Sequence, residues 1–165
     1  MAEHPEGGSE RRSLLTRDVT ERTGIDEAMV RQLVHAFYDK VRGDPLLGPV
    51  FAARIADWGP HLAKMCDFWS SVALMTGRYH GRPMPVHVAL GLSAGHFDRW
   101  LALFAETARE VCPPAAAAHF VERAHRIAES FELGIAIQKG ELPPRRRRSL
   151  PDWMEDQRGA GIATS

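Results

Sequence analysis

The sequence predicts an all-α fold, and three observations carry that prediction. Apolar residues recur at a spacing near 3.6 over four long segments, which gathers them on one face of a helix. No stretch alternates polar and apolar residues long enough to make a strand, and no internal repeat of solenoid length is present. The segments are bounded by caps and breakers, among them Asp26, Gly43, Pro45, Gly77, Pro113 and Pro114.

The first segment opens at Asp26 as N-cap and carries Met29, Val30, Leu33, Val34, Phe37 and Val41 in one stripe. Gly43 closes it ahead of Pro45, giving a helix of about 17 residues. The second starts near Trp58 or Pro60, places His61, Met65, Phe68, Trp69 and Val72 on adjoining turns, and is expected to stop at Gly77. The third runs from about His96 to Val111 with Phe97, Trp100, Leu101, Phe104 and Ala108 on one side. The fourth begins at the Pro113–Pro114 pair, which suits a first helical turn, and carries Phe120, Ala124, Ile127, Ala128, Phe131 and Ile135. Two connections, Gly43 to Gly59 and Gly77 to Gly95, read as irregular, and long irregular loops in a compact domain are often functional.

A chain of 165 residues is the size of one domain with one core. Residues 1–20 mix Pro, Gly, Ser and Arg without sustained periodicity and are expected to be a flexible tail. Residues 21–141 hold the helical domain. Residues 142–165 open on Pro143 and Pro144, continue through Arg145 to Arg148 and turn acidic at Asp152, Glu155 and Asp156, which reads as a disordered Arg-rich tail. Both tails are expected to be dispensable for folding.

Twenty-one basic side chains balance twenty-one acidic ones, so no net charge argues for a nucleic-acid or membrane partner. Cys66 and Cys112 lie inside apolar helical patterns without zinc-type spacing and read as reduced, buried thiols. No apolar run approaches a membrane span, and Met1 to Glu21 lacks the apolar core of a secretion signal, so a cytoplasmic location is expected.

Eight histidines invite a metal reading. His4 lies in the tail, and His35, His119 and His125 fall on helices with no partner at ligand spacing, so they read as surface or satisfied structural residues. His61 and His87 differ, because one sits on the apolar side of the second helix and the other in the loop that follows. That separation can set two imidazoles on opposite faces of a flat ligand, with Phe37, Phe51, Met65, Phe68 and Trp100 available as apolar walls.

At this point the sequence resembles a known family, the group III truncated haemoglobins. The run from Phe37-Tyr38 through Val41, Asp44 and Leu47-Gly48-Pro49 to Phe51 is similar to that family's FY-x-x-V-x-x-D-x-x-LGP-x-F signature. His61, Lys64, Phe68 and Trp69 resemble its H-x-x-K-x-x-x-FW pattern, Tyr79, Gly81, Pro83 and His87 match in the loop, and His96 to Phe104 supplies a fourth block. The resemblance spans about residues 26 to 138 and implies a truncated globin fold, a helical sandwich around a haem pocket.

The resemblance implies haem b (iron protoporphyrin IX) with His87 as the proximal ligand to iron. Phe51, Met65, Phe68 and Tyr79 would contact the porphyrin, and Tyr38, His61 and Trp100 would line the side where a diatomic ligand sits. The alternative for Tyr38 and Trp100 is an ordinary place in the amphipathic core, and for Phe51, Phe68 and Trp69 simple packing. A phenol O–H or indole N–H can stabilise negative charge on a bound ligand in a dry pocket, and His61 can donate, swing to solvent or coordinate iron itself. His96 competes for the proximal role but reads better as a helix-start residue. Arg78, Tyr79 and Arg82 are placed for the propionates, and the arginine run is expected to be a solvated tail. The implied function is a haem protein binding O2, NO, CO or peroxide, with an unidentified electron donor and redox or detoxifying turnover left open. The alternative is a haem-free helical regulatory or interaction domain.

Overall fold

Among the described residues of a computed structural model of the chain, 5–83, 90–142 and 148–155, six helices of six or more residues are present. They are α1 (Pro5–Thr23), α2 (Glu27–Gly43), α3 (Leu47–Ala52), α4 (Trp58–Leu74), α5 (Ala94–Val111) and α6 (Pro114–Lys139). No strand occurs among the described residues. His4, His87, Pro143, Pro144, Arg145 to Arg147 and Asp156 lie outside the described residues.

α2 forms where its cap and stripe predict. Asp26 stands in extended backbone and its Oδ1 accepts the Met29 N–H at 2.8 Å, satisfying one of the donors a helix start leaves unpaired. Val30, Leu33, Val34, Phe37, Tyr38 and Val41 are buried along one face. α4 is capped by Asp57, which accepts the Gly59 N–H, and closes at Met75 in left-handed backbone (φ 60°), just short of Gly77. α5 begins at Ser93: its backbone N–H donates to His96 Nδ1 at 3.1 Å, and its hydroxyl lies 2.8 Å from the same nitrogen. α6 has Pro114 in its first turn and ends at Gly140 (φ +70°).

α2 packs on α4, α5 packs on α6, and the α2–α5 and α4–α6 contacts join the two pairs into a helical sandwich. Its centre is aromatic. Trp69 and Phe104 stack at 4.6 Å with Phe120 edge-on to Trp69 at 6.3 Å, and all three are fully enclosed. Phe104 also stacks on Trp100 at 5.6 Å, so the core continues to a half-buried residue at its edge.

Three expectations differ from the structure. The Gly43–Gly59 connection contains a short helix, α3, which periodicity cannot detect over six residues. The N-terminal segment is helix α1 rather than an irregular tail, docked on α4 and α6. Val19 is buried, and the Thr16 hydroxyl lies 2.5 Å from the Leu74 carbonyl at the C-terminus of α4. Residues 148–155 also return to the body. Arg148 reaches Asp98, Glu132 and the Ala94 carbonyl, Met154 is buried, and the Arg109 guanidinium sits 5.0 Å over the Trp153 ring. Docking wins over tail entropy because these side chains bring partners the flanking charge run conceals.

Candidate functional site

The corner between α2 and α3 sets the position of Phe51 and the end of α2. Asp44 Oδ2 accepts the N–H groups of Leu46 (3.1 Å) and Leu47 (2.9 Å), and its Oδ1 accepts Arg99 Nε–H of α5 at 2.7 Å. Burial alone would raise this carboxyl's pKa, but the Leu47 N–H, the Arg99 guanidinium and the Leu46 N–H hold it below its ordinary value. Gly48 is required by close approach, since a Cβ there would come within 2.9 Å of the Arg42 carbonyl.

α4 carries His61, Met65, Phe68 and Val72 at i, i+4, i+7 and i+11, one face of the helix, and all four are only partly buried. The fully buried Trp69, Ser70, Ala73 and Leu74 occupy the rest of that helix's packed surface. Tyr38 of α2 reaches this stripe. Its ring meets His61 edge-on at 5.2 Å and 88°, Phe51 at 5.9 Å and Trp58 at 5.9 Å. Trp58 in turn stands perpendicular to His61 at 5.6 Å, with the Arg42 guanidinium 4.7 Å over its own ring. Burial pushes the Tyr38 phenol well above its ordinary pKa, so it keeps its proton and remains a donor at neutral pH.

Trp100 joins the group through Phe37, which lies edge-on to it at 5.7 Å and next to Tyr38 at 5.2 Å. On the other side Phe68 meets Tyr79 edge-on at 5.2 Å, and the Tyr79 N–H donates to Ser71 Oγ at 2.8 Å, tying the loop back onto α4. Gly81 passes under the Tyr79 phenol, where a Cβ would collide. Arg78 is engaged elsewhere, 3.7 Å from Glu27 of α2, and Arg82 is exposed.

Phe37 links Tyr38 to Trp100 and Trp69 links Phe68 to Trp100, so Tyr38, His61, Phe51, Phe68, Tyr79 and Trp100 form one chain of ring contacts, and Met65 shares the α4 stripe. His87 lies outside the described residues. The sequence pattern marks Trp58 only as a helix start. Its place three residues before His61, one turn away on the same face, was the available signal. His96 has its Nδ1 engaged by the Ser93 N–H and hydroxyl at the start of α5, the place of a helix-start residue. His119 is a satisfied structural histidine, its Nε2–H donating to the Ala73 carbonyl at 3.0 Å.

No protein-family model matches the chain. It is 34% identical over 113 residues to the group 3 truncated hemoglobin Ctb of Campylobacter jejuni, covering 66% of this chain and 89% of that protein. This chain belongs to the group III truncated haemoglobin family. The crystal structure of the group III truncated hemoglobin from Campylobacter jejuni matches this truncated haemoglobin with a TM-score of 0.62 at 34% identity, over 65% of this chain and 88% of that one. Family membership brings a haem cofactor and binding of oxygen-like small ligands, and it favours the haem-protein reading over the haem-free alternative. The residues present fit that group: the half-buried stripe of α4, with Phe51 and Trp100, offers apolar surface beside one phenol and one imidazole. No described helix is long and apolar enough to cross a membrane.

Proposed function

We propose that this truncated haemoglobin holds haem b with His87 as proximal ligand. Phe51, Met65, Phe68 and Tyr79 lie against the porphyrin, and Tyr38, His61 and Trp100 face the bound ligand. We further propose that its work is redox or detoxifying chemistry on nitric oxide or peroxide, fed by an electron donor, rather than oxygen transport. Haem supplies a redox-active iron with an open position for a small ligand. The observation that carries the proposal is the edge-on pair of Tyr38 and His61, with Tyr38 buried and its phenol held protonated.

From this arrangement the roles of the side chains follow. Tyr38 donates its O–H toward developing negative charge in a site shielded by Phe51 and Trp58. Trp100 can only donate, so its indole adds to the same preference without taking up a proton. His61, half-buried between Tyr38 and Trp58, can donate from one ring nitrogen and accept at the other, whereas the Tyr38 phenol keeps its proton. Each donor is worth about 1–1.5 kcal/mol net, or roughly a five- to twelvefold change in ligand retention. Two donors together slow ligand release, which serves reaction of the ligand better than its delivery.

Absorption spectra of the ferric, ferrous and CO-bound protein test the cofactor, and a colourless, stable protein would return the haem-free domain. Stopped-flow oxygen release tests the chemistry. Slow release in the wild type, accelerated about five- to twelvefold in Tyr38→Phe and in Trp100→Phe, is expected. Fast release that neither substitution accelerates would leave simple ligand binding as the better account.

A further inference from the structure

α1 presents Ser9, Arg12, Ser13, Thr16 and Arg17 at i, i+3, i+4, i+7 and i+8, which is one face of the helix. Opposite it the chain leaves α4 through left-handed backbone at Met75 and Gly77 and brings up Thr76 and Arg78. These seven residues line an open cavity of about 450 Å³, and each carries a guanidinium or a hydroxyl. Arg12 crosses the gap: its guanidinium lies along Gly77, where a Cβ would come within 3.0 Å of Arg12 Cζ. No carboxylate lines the cavity among the described residues, and neither does Tyr38, Phe51, His61 or Trp100. Arg12 and Arg17 form no ion pair among the described residues, and the pair of Arg78 with Glu27 is long, at 3.7 Å. Glu27 is also shared, since its Oε1 accepts the Ser70 hydroxyl at 2.6 Å. With that proton given to Glu27, the Ser70 oxygen accepts the Thr76 hydroxyl at 2.7 Å, and the Thr16 hydroxyl is taken up by the Arg12 and Leu74 carbonyls. The Ser9 and Ser13 hydroxyls have no partner among the described residues. Three guanidinium charges less the one carboxylate charge of Glu27 leave the cavity at +2.

We propose that this cavity binds a soluble molecule bearing a terminal phosphate, with Arg12, Arg17 and Arg78 holding the phosphate and Ser9 and Ser13 donating to it. Each part of that description has a cause. Guanidinium groups offer forked N–H donors that match phosphate oxygens in pairs. A terminal phosphate carries about −1.5 to −2 near neutral pH, which balances the cavity, whereas the single charge of a phosphodiester leaves one guanidinium unmatched. That difference sets a soluble phosphate ahead of a lipid headgroup or a nucleic-acid backbone. The volume lies within the range of small-molecule sites and leaves room for the group that carries the phosphate. Because the donors come from α1 and from the chain after α4, the bound dianion joins those two elements. The site does not depend on the haem reading.

Inorganic phosphate is the probe, added to the full-length protein as purified at constant ionic strength and followed through the backbone amide signals of Ser13 and Thr76. A saturable shift of both signals, with the visible spectrum unmoved, is expected. Arg12→Gln and Arg17→Gln should each weaken binding about fivefold. Arg17 is exposed, so its variant reads binding without disturbing the core. Arg11 stands on the same helix outside the cavity, and Arg11→Gln removes the same charge but should leave the affinity unchanged. Dimethyl phosphate, a phosphodiester, should bind about fivefold more weakly than phosphate. A shift that does not saturate, an equal loss in Arg11→Gln and Arg17→Gln, or equal binding of dimethyl phosphate would overturn the proposal. So would binding to vesicles of phosphatidylglycerol and phosphatidylcholine by a protein whose signals inorganic phosphate does not move.

Discussion

Position 48 shows how a single residue type carries a motif. The α3 backbone passes so near the end of α2 that a Cβ would meet the Arg42 and Val41 carbonyls, and neither carbonyl can retreat without opening the corner that Asp44 and Arg99 close. Gly48→Ala is therefore expected to destabilise the fold by about 1–3 kcal/mol, read as a lowered midpoint in thermal or urea melting. An unchanged midpoint would show that the corner yields freely. His96 makes the complementary case: its Nδ1 is engaged at the start of α5, and His87 is the proposed proximal ligand. His87→Gly should weaken haem retention and lose the five-coordinate ferrous spectrum, with partial recovery on adding imidazole, whereas His96→Gly should keep it. The opposite pattern would exchange the two assignments. The Tyr38–His61 pair of the candidate site was legible at this scale, because both residues fall in patterned blocks. Trp58 was not, since its contact with Tyr38 crosses from α4 to α2.

At the scale of elements, α1 is the instructive departure. Its sequence offers no apolar stripe: Leu14 and Leu15 are exposed and Val19 is buried, so a reading based on periodicity finds nothing to pack. What holds it is contact that local pattern does not encode. Val19 enters the core, and Thr16 lies at the Leu74 carbonyl, one of the acceptors a helix end leaves unpaired. Burying a valine is worth about 1.5–3 kcal/mol and such a hydrogen bond about 0.5–1.5 kcal/mol, partly offset by the entropy of ordering the helix. Removal of residues 1–19 should accordingly lower the melting temperature, and a protein that melts unchanged would show α1 to be dispensable after all. α2, α4, α5 and α6 were legible because each has both a stripe and a boundary. α3 is too short to show a period, and its start is set by Asp44.

The whole molecule adds a dependence on pH that no single helix has. His119 and His125 are both buried on α6, and burial lowers the pKa of each below its ordinary value of 6.5. The unfolded chain then binds protons more readily than the folded one. Their contribution to stability is complete above pH 6.5 and is lost as the pH falls below it toward their lower folded values. Asp44, whose folded pKa is lowered from 3.8, keeps its contribution throughout the range from pH 7 to 5. Melting temperatures should thus fall between pH 7 and 5, and less steeply in His119→Gln, whose amide can still donate to Ala73 without titrating. Parallel curves for the two proteins would remove His119 as a cause.

Sequence by itself determined that this protein is helical, where α2, α4, α5 and α6 begin and end to within a few residues, and which family blocks they carry. Those features depend on residues close in the chain: Asp26 on Met29, Phe37 on Val41, Pro114 on the turn it opens. Only the tertiary structure decided that Pro5–Thr23 docks, that Arg148 returns to Asp98 and Glu132, and that Trp58 stands against His61 and Tyr38. Each of these joins positions on different elements, and their energy comes from burial and charge pairing across the fold. Periodicity and capping report how one helix presents its faces; which surface meets each face is settled when all the helices compete for the same core.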